Sequence, residues 1–331
     1  MRILKKLVTV VVCAVWCGGS FAADLYDPLV IDSALRMMRV MSIDLTIEDS
    51  ARDREVPLRV YLPDSSQPAP VILFSHGLGR SSENNPYLGN HWAARGYIAV
   101  FMQHLGSDES VWRGALPSQR MTALKAAASA ENALLRYKDV ATVINQLEVF
   151  NADATHVLSA RMNLDQIGMS GHSFGAVTTQ AVSGQKQPFG LVDYTDRRID
   201  AALAMSPSVP RGGSANRLFA SVEIPWLLMT GSHDTAKIGG GSAESRLAVF
   251  SALPDGDKYE LVLDGAEHSA FSDGVTRRHK KTRNKNHHRV IQAISTAFWD
   301  AHLMGNKAAQ GWLVGVGAAS VLEPGDRWQW K

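Results

Sequence analysis

The segment Gly171-His172-Ser173-Phe174-Gly175 sets a serine between two glycines, after the short apolar stretch Gln166 to Met169 and before the helical run Ala176 to Ser183. A strand-to-helix turn of the form G-x-S-x-G holds its serine at strained backbone angles with the hydroxyl clear of the main chain. The flanking Gly171 and Gly175 let strand and helix pass without a Cβ clash. An alcohol is a weak nucleophile at neutral pH and needs a base within hydrogen-bond reach, itself oriented by an acid. On such a turn the chain order is serine, acid, histidine. Asp234, in Thr230-Gly231-Ser232-His233-Asp234, follows the apolar strand pattern Trp226 to Thr230 and is the expected acid. His268, in Leu263-Asp264-Gly265-Ala266-Glu267-His268-Ser269, follows the last clear strand pattern and is the expected base. The competing histidines are worse placed, since His279, His287 and His288 lie in a polar basic stretch and His233 precedes the acid. Among the other acids, Asp255 and Asp257 read as turn residues, Asp264 is too near His268 in sequence, and Asp200 opens a strand. The expected chemistry is acyl transfer through a covalent intermediate on Ser173.

That chemistry places negative charge on a former carbonyl oxygen, which preorganised N–H donors stabilise. Phe174 supplies one donor, being next after the nucleophile. The second is expected from the loop after Val71-Ile72-Leu73-Phe74, where His76-Gly77-Leu78-Gly79 resembles the H-G-x-G oxyanion loop and Leu78 is the expected donor. His76 and Gly77 are read as supports of that loop, with His76 bracing it through its ring, and His172 as a neighbour of the nucleophile.

Positioning these residues requires a particular framework. Val40 to Ile47 and Val56 to Leu62 alternate apolar and polar residues around a charged bend, which predicts an antiparallel hairpin. Val71 to Phe74 is a continuous apolar run, the pattern of a strand buried on both faces. The rhythm continues with a helix over Asn85 to Ala94, a strand over Tyr97 to Met102, one long helix from Gln119 to Phe150, and a strand over Gln166 to Met169. Strands over Ile199 to Met205, Pro225 to Thr230 and Tyr259 to Leu263 follow, with helices over Glu244 to Leu253 and His287 to Leu303. Alternating units of this kind predict a mostly parallel sheet with helices on both faces, the α/β-hydrolase fold, with the reactive residues on loops at the strands' carboxyl ends. No segment is long enough for a large lid; the expected covering stretches are Leu105 to Ser118, Gln185 to Arg198 and Ser206 to Glu223.

With 331 residues, 45% hydrophobic and 20% charged, the chain has ample apolar material for a large core, which excludes disorder. Arg2, Lys5 and Lys6, the apolar stretch Leu7 to Trp16 and the small-x-small site Ser20-Phe21-Ala22 read as a cleaved export signal, leaving residues 23 to 331 as one domain in the periplasm or outside the cell. A spanning helix needs about 20 apolar residues, and Cys17-Gly18-Gly19 interrupts this run, so no stable membrane insertion is expected after cleavage. A lipid-anchored start at Cys17 is disfavoured by the bulky Trp16 before it. The only cysteines, Cys13 and Cys17, lie in that segment, so disulfide and thiolate chemistry are excluded from the mature protein. Cleavage also removes three basic groups and no acidic one, leaving 31 against 32, a balance that points to no nucleic-acid partner. The basic run Arg277 to Arg289 reads as a solvated loop, Trp312, Trp328 and Trp330 as pins for the terminus, and Gly239-Gly240-Gly241 as flexible backbone. No metal-ligand spacing and no cofactor motif stands out.

Phe74-Ser75-His76-Gly77-Leu78-Gly79 and Gly171-His172-Ser173-Phe174-Gly175, with the acid and histidine loops, resemble bacterial relatives of platelet-activating-factor acetylhydrolase, often labelled predicted dienelactone hydrolases. The resemblance runs from about Val40 to the C-terminus, including Gln103-His104-Leu105-Gly106-Ser107-Asp108 and Glu323-Pro324-Gly325-Asp326-Arg327-Trp328. It implies calcium-independent hydrolysis of a small-molecule carboxylic ester through Ser173, Asp234 and His268. True dienelactone hydrolases carry a cysteine where Ser173 stands, which removes that special lactone chemistry. Polyester-degrading cutinase-like enzymes share the triad order but place an aromatic residue at the Leu78 position. The rival classes are a peptidase, which usually brings a further domain, and a binding or adhesion module that has lost its chemistry.

Overall fold

The computed structural model describes residues 26–31, 40–188, 192–239, 241–273 and 284–331. The expected export signal with Cys13 and Cys17, His279, Gly240 and the basic residues Arg277 to Arg283 lie outside them.

The chain opens with an antiparallel pair, β1 (Met41–Asp49) and β2 (Arg54–Leu62), in register from Met41 opposite Leu62 to Asp49 opposite Arg54. Then follow β3 (Ala69–Ser75), α1 (Pro86–Ala94), β4 (Ile98–Met102), the short α2 (Ser110–Arg113), α3 (Arg120–Ala127), α4 (Ala130–Ala152) and β5 (Met162–His172). The second half runs α5 (Phe174–Val182), β6 (Ile199–Met205), α6 (Ala215–Phe219), β7 (Trp226–His233), α7 (Ala243–Ala252) and β8 (Lys258–Glu267), and closes with α8 (Lys285–His302), α9 (Lys307–Val314), α10 (Val316–Ala319) and β9 (Arg327–Trp330). All nine described strands form one sheet in the order β1-β2-β4-β3-β5-β6-β7-β8-β9. The six strands from β4 to β8 in that order are mutually parallel, and β1, β2 and β9 complete the edges antiparallel.

Helices cover both faces because the central strands place apolar residues on both sides of the sheet. Ile72, Phe74, Leu203, Met205, Leu227 and Met229 turn to one side and pack with Trp92 of α1 and Ile294, Phe298 and Trp299 of α8. Val71, Leu73 and Met169 turn to the other and meet Val140, Ile144 and Leu147 of α4. Farther along that second side Ala202, Ala204, Trp226 and Leu228 meet Val249 and Phe250 of α7. Each fully buried aliphatic or aromatic side chain contributes about 1.5–3 kcal/mol, so both faces are needed to hold the strand ends in register.

Two expectations need correction. The helix read as continuous from Gln119 to Phe150 is two helices, α3 and α4, broken at Ala128-Ser129. Ser129 adopts an extended conformation (φ −100°, ψ 159°) and its Oγ accepts the Asn132 N–H at 3.1 Å, so a new N-cap competes with helix continuation. The closing segment, read only as a pinned tail, contains α9, α10 and the edge strand β9. Trp328 does the pinning, stacked on Tyr259 at 5.7 Å with its indole N–H on the Leu313 carbonyl at 2.8 Å. Among the described residues no helix is long and apolar enough to cross a membrane.

Candidate active site

Ser173 sits between β5 and α5 with φ 58° and ψ −114°, a left-handed conformation that costs a non-glycine residue about 1–3 kcal/mol. The neighbours make it obligatory. A Cβ on Gly175 would lie 1.8 Å from the Ser75 carbonyl oxygen, and one on Gly171 would lie 2.4 Å from the Gly175 carbonyl oxygen. Strand, turn and helix are therefore packed backbone to backbone, and the serine points outward from the crest. Its own N–H donates to the Met205 carbonyl at 2.9 Å, tying the crest to the end of β6.

The ends of β7 and β8 bring the other two side chains. Ser173 Oγ lies 2.8 Å from His268 Nε2, and His268 Nδ1 lies 2.7 Å from Asp234 Oδ1. The carboxylate accepts from Nδ1–H, which leaves Nε2 as acceptor for the serine hydroxyl; the tautomer follows from the network. Asp234 is fully buried, whereas the His268 side chain keeps 25% of its surface exposed. Burial by itself raises the Asp234 carboxyl, but its hydrogen bond to His268, the charges of His268 and Arg246, and the Ser206 hydroxyl outweigh it and hold the group at about 2. The acid is a fixed anion at neutral pH.

His172 lies beside the pair. Its Nε2–H donates to the His268 carbonyl at 3.0 Å, and its ring stands 4.8 Å from the His268 ring. Burial first, then the neighbouring His268, push His172 well below the ordinary histidine value, so it is a neutral brace for the His268 backbone.

The loop after β3 passes against Ser173. A Cβ on Gly77 would sit 3.5 Å from Ser173 Cβ and 3.4 Å from the His172 carbonyl oxygen, ordinary contact distances that show how closely the loop passes. Leu78 is half-buried beside it, and its N–H and that of Phe174 have no hydrogen-bond partner among the described residues. The loop is tied on both sides of Leu78. His76 Nδ1–H donates to the Gly77 carbonyl at 2.7 Å and His76 Nε2 accepts the His104 N–H at 3.0 Å, while the Gly79 N–H donates to the Ser107 carbonyl at 2.8 Å. Burial, then Arg136 and His104, lower His76 far below its ordinary value, consistent with a neutral ring that donates from one nitrogen and accepts at the other.

The remaining candidates lie elsewhere in the hydrogen-bond network. Asp264 accepts the Ser232 hydroxyl, Asp200 accepts the Ile167 N–H, and His287 and His288 contact the Asp264 and Ala270 carbonyls. His233 is exposed. Among the described residues no group of three or more His, Cys, Asp or Glu side chains is placed to hold a metal ion. A polar hollow of about 440 Å³ lies past the Leu78 loop, lined by Asp44, Arg59, Ser82 and Gln103 among others, and none of Ser173, Asp234 or His268 borders it.

No family model matches the chain, and no curated protein matches it.

Three partners of the acid escaped the reading of the sequence. Ser206 Oγ and Thr230 Oγ1 donate to Asp234 Oδ2 at 2.6 and 3.0 Å, and Arg246 Nε lies 3.0 Å from Asp234 Oδ1 and donates to the Asp234 carbonyl at 3.0 Å. Arg246 also binds the Ser206 and Pro207 carbonyls at 2.8 and 3.0 Å, clamping the loop that follows β6. Ser206 carried a signal, since it stands directly after a strand's carboxyl end, as do the acid and the base. Arg246 carried a weaker one, as a cation amid the otherwise apolar Leu247, Val249 and Phe250 of a surface helix.

Proposed function

We propose that this chain is a serine esterase of the α/β-hydrolase type, cleaving carboxylic esters with small acyl groups through an acyl-enzyme on Ser173. The observation that carries the reading is the continuous chain of 2.8 and 2.7 Å contacts from Ser173 through His268 to buried Asp234. Further support comes from the strand order, from the left-handed serine on a strand-to-helix turn, and from the resemblance of the Leu78 and Ser173 segments to platelet-activating-factor acetylhydrolase relatives. On the same reading residues 1 to 22 export the chain, which works in the periplasm or outside the cell.

His268 Nε2 accepts the Ser173 proton as Oγ attacks the ester carbonyl, and Asp234 stabilises the imidazolium that forms. The carbonyl oxygen becomes an oxyanion facing the N–H groups of Leu78 and Phe174, where preorganised donors lower the barrier by about 3–4 kcal/mol each. His268 returns the proton to the departing alcohol, and a water activated at the same nitrogen then releases the acid. The intact nucleophile, base and acid favour this over a binding module, whose function would not require the strained serine.

The test is purified mature protein with short-chain nitrophenyl esters beside Ser173→Ala, together with labelling by a fluorophosphonate. Hydrolysis and labelling in the parent, both abolished in S173A, are expected; equal rates in the two proteins remove the enzyme reading.

A further inference from the structure

Arg136, on α4, is fully buried, and its guanidinium is spent almost wholly on neutral acceptors. Nε donates to Ser107 Oγ at 2.8 Å and Nη1 to the His76 carbonyl at 2.7 Å, with longer contacts of 3.4 Å to Ser75 Oγ and the Ser107 carbonyl. No carboxylate among the described residues lies within 4.0 Å of it. Asp139, one turn along the same helix, is already committed to Arg52, Arg54 and His104. Taking a guanidinium without a direct ion pair out of water is costly, and the charges of Asp139 and Asp108 offset only part of that burial.

What surrounds it is the expected oxyanion hole. The His76 carbonyl that Arg136 holds is two residues before Leu78, and the Ser107 it holds is the residue whose carbonyl anchors the Gly79 N–H. On its other side the Arg136 Cζ stands 4.4 Å from the centre of the Phe174 ring. One buried cation thus grips the loop that carries the first N–H donor and lies under the side chain of the residue that carries the second.

Beneath it runs a second carboxylate–imidazole–hydroxyl chain, Asp139 to His104 at 2.9 Å and His104 to Ser75 at 2.9 Å. It repeats the connectivity of the Ser173 group, yet Ser75, His104 and Asp139 are fully buried, so no substrate reaches this hydroxyl. Burial, then Arg136, lowers His104 to about 4, so its neutral ring accepts a hydrogen bond from the Ser75 hydroxyl and ties the end of β3 to the loop after β4.

We propose that Arg136 is the positioning residue of the oxyanion hole, fixing the Leu78 loop against Phe174 and placing a buried positive charge that makes no direct ion pair beneath the site where negative charge develops. A charge that matters only when the oxyanion forms stabilises the transition state over the bound ester. This inference rests on the esterase reading above.

The experiment compares the parent, Arg136→Met and Arg136→Lys as mature proteins, with active sites counted by fluorophosphonate titration. For R136M, kcat per active site is expected to fall about 10- to 100-fold with KM changed by less than about threefold. Affinity for a trifluoromethyl ketone, whose adduct carries the oxyanion, should fall in the same proportion, and R136K should recover part of both. A parent-like kcat in R136M, or equal losses in R136M and R136K, overturns the proposal, the second outcome marking a packing role alone. Where R136M does not accumulate folded, Ser107→Ala, which removes the acceptor of Nε, is expected to lower kcat several-fold at constant KM, and an unchanged kcat overturns the proposal equally. A parent with neither hydrolysis nor labelling sinks the esterase reading itself, whereas an active parent with an indifferent R136M sinks only this inference.

Discussion

Asp234 illustrates how much a single buried carboxylate needs in order to stay charged. Oδ1 faces His268 and Arg246 and Oδ2 accepts from Ser206 and Thr230, so both oxygens are satisfied without water. On the esterase reading its task is to keep His268 with the proton on Nδ1. Asp234→Asn keeps the shape but can present an N–H to that nitrogen, which turns the acceptor lone pair away from Ser173. We expect kcat at neutral pH to fall by about 10⁴ with KM little changed, measured with the nitrophenyl esters; a loss below tenfold would show that Asp234 does not orient the base. The residue identities were legible from three loops at strand ends. The donors around Asp234 were not, because Ser206, Thr230 and Arg246 come from three different elements and meet only when β6, β7 and α7 are packed.

At the scale of elements, the junction of β5 and α5 decides the site. Gly175 has no space for a side chain because the Ser75 carbonyl occupies the position a Cβ would take. Backbone cannot yield as the end of a flexible side chain can, so Gly175→Ala must push α5 away from β3 and tilt the crest that carries Ser173. We expect G175A to lose about 3 kcal/mol or more of stability, read by urea denaturation, and to lose activity in the fraction that stays folded; a variant of parental stability would mean that the junction is looser than the packing states. The pattern of apolar runs placed these elements within a few residues, since a strand buried on both faces leaves a continuous signature. The pattern did not place the break at Ser129, because a cap is a local competition between a side-chain oxygen and the helix ladder that helical periodicity does not register. It also passed over β9, four residues long, whose pairing partner Tyr259–Val262 lies far back along the chain.

Across the whole molecule, burial is the main reason that five histidines among the described residues, His76, His91, His104, His172 and His302, are held below the ordinary value of 6.5, His91 and His104 at about 4. Unfolding returns them to that ordinary value, so above about pH 6.5 both states are neutral and the full stability is present. As pH falls below it the unfolded chain takes up protons that the folded chain refuses, each histidine withdrawing up to about 1.4 kcal/mol per pH unit until its folded value is reached. The depressed Asp234 adds a further loss as pH drops from 3.8 towards about 2. Thermal denaturation should therefore show Tm falling steadily from pH 6.5 to pH 4; a flat Tm across that window would mean that these rings are not held neutral. The amino-acid sequence by itself determined the alternation of strands and helices, the two-sided burial of the sheet and the three loops that could bear a nucleophile, an acid and a base, because each is written in short-range periodicity and in residue types next to strand ends. Packing in three dimensions was needed to show that Ser173, Asp234 and His268 stand within hydrogen-bond distance, that Arg246 clamps Asp234, and that Arg136 holds the His76 carbonyl and lies against the Phe174 ring. Those contacts join residues 12 to 95 positions apart, and their distances are set by how whole elements pack rather than by any local pattern.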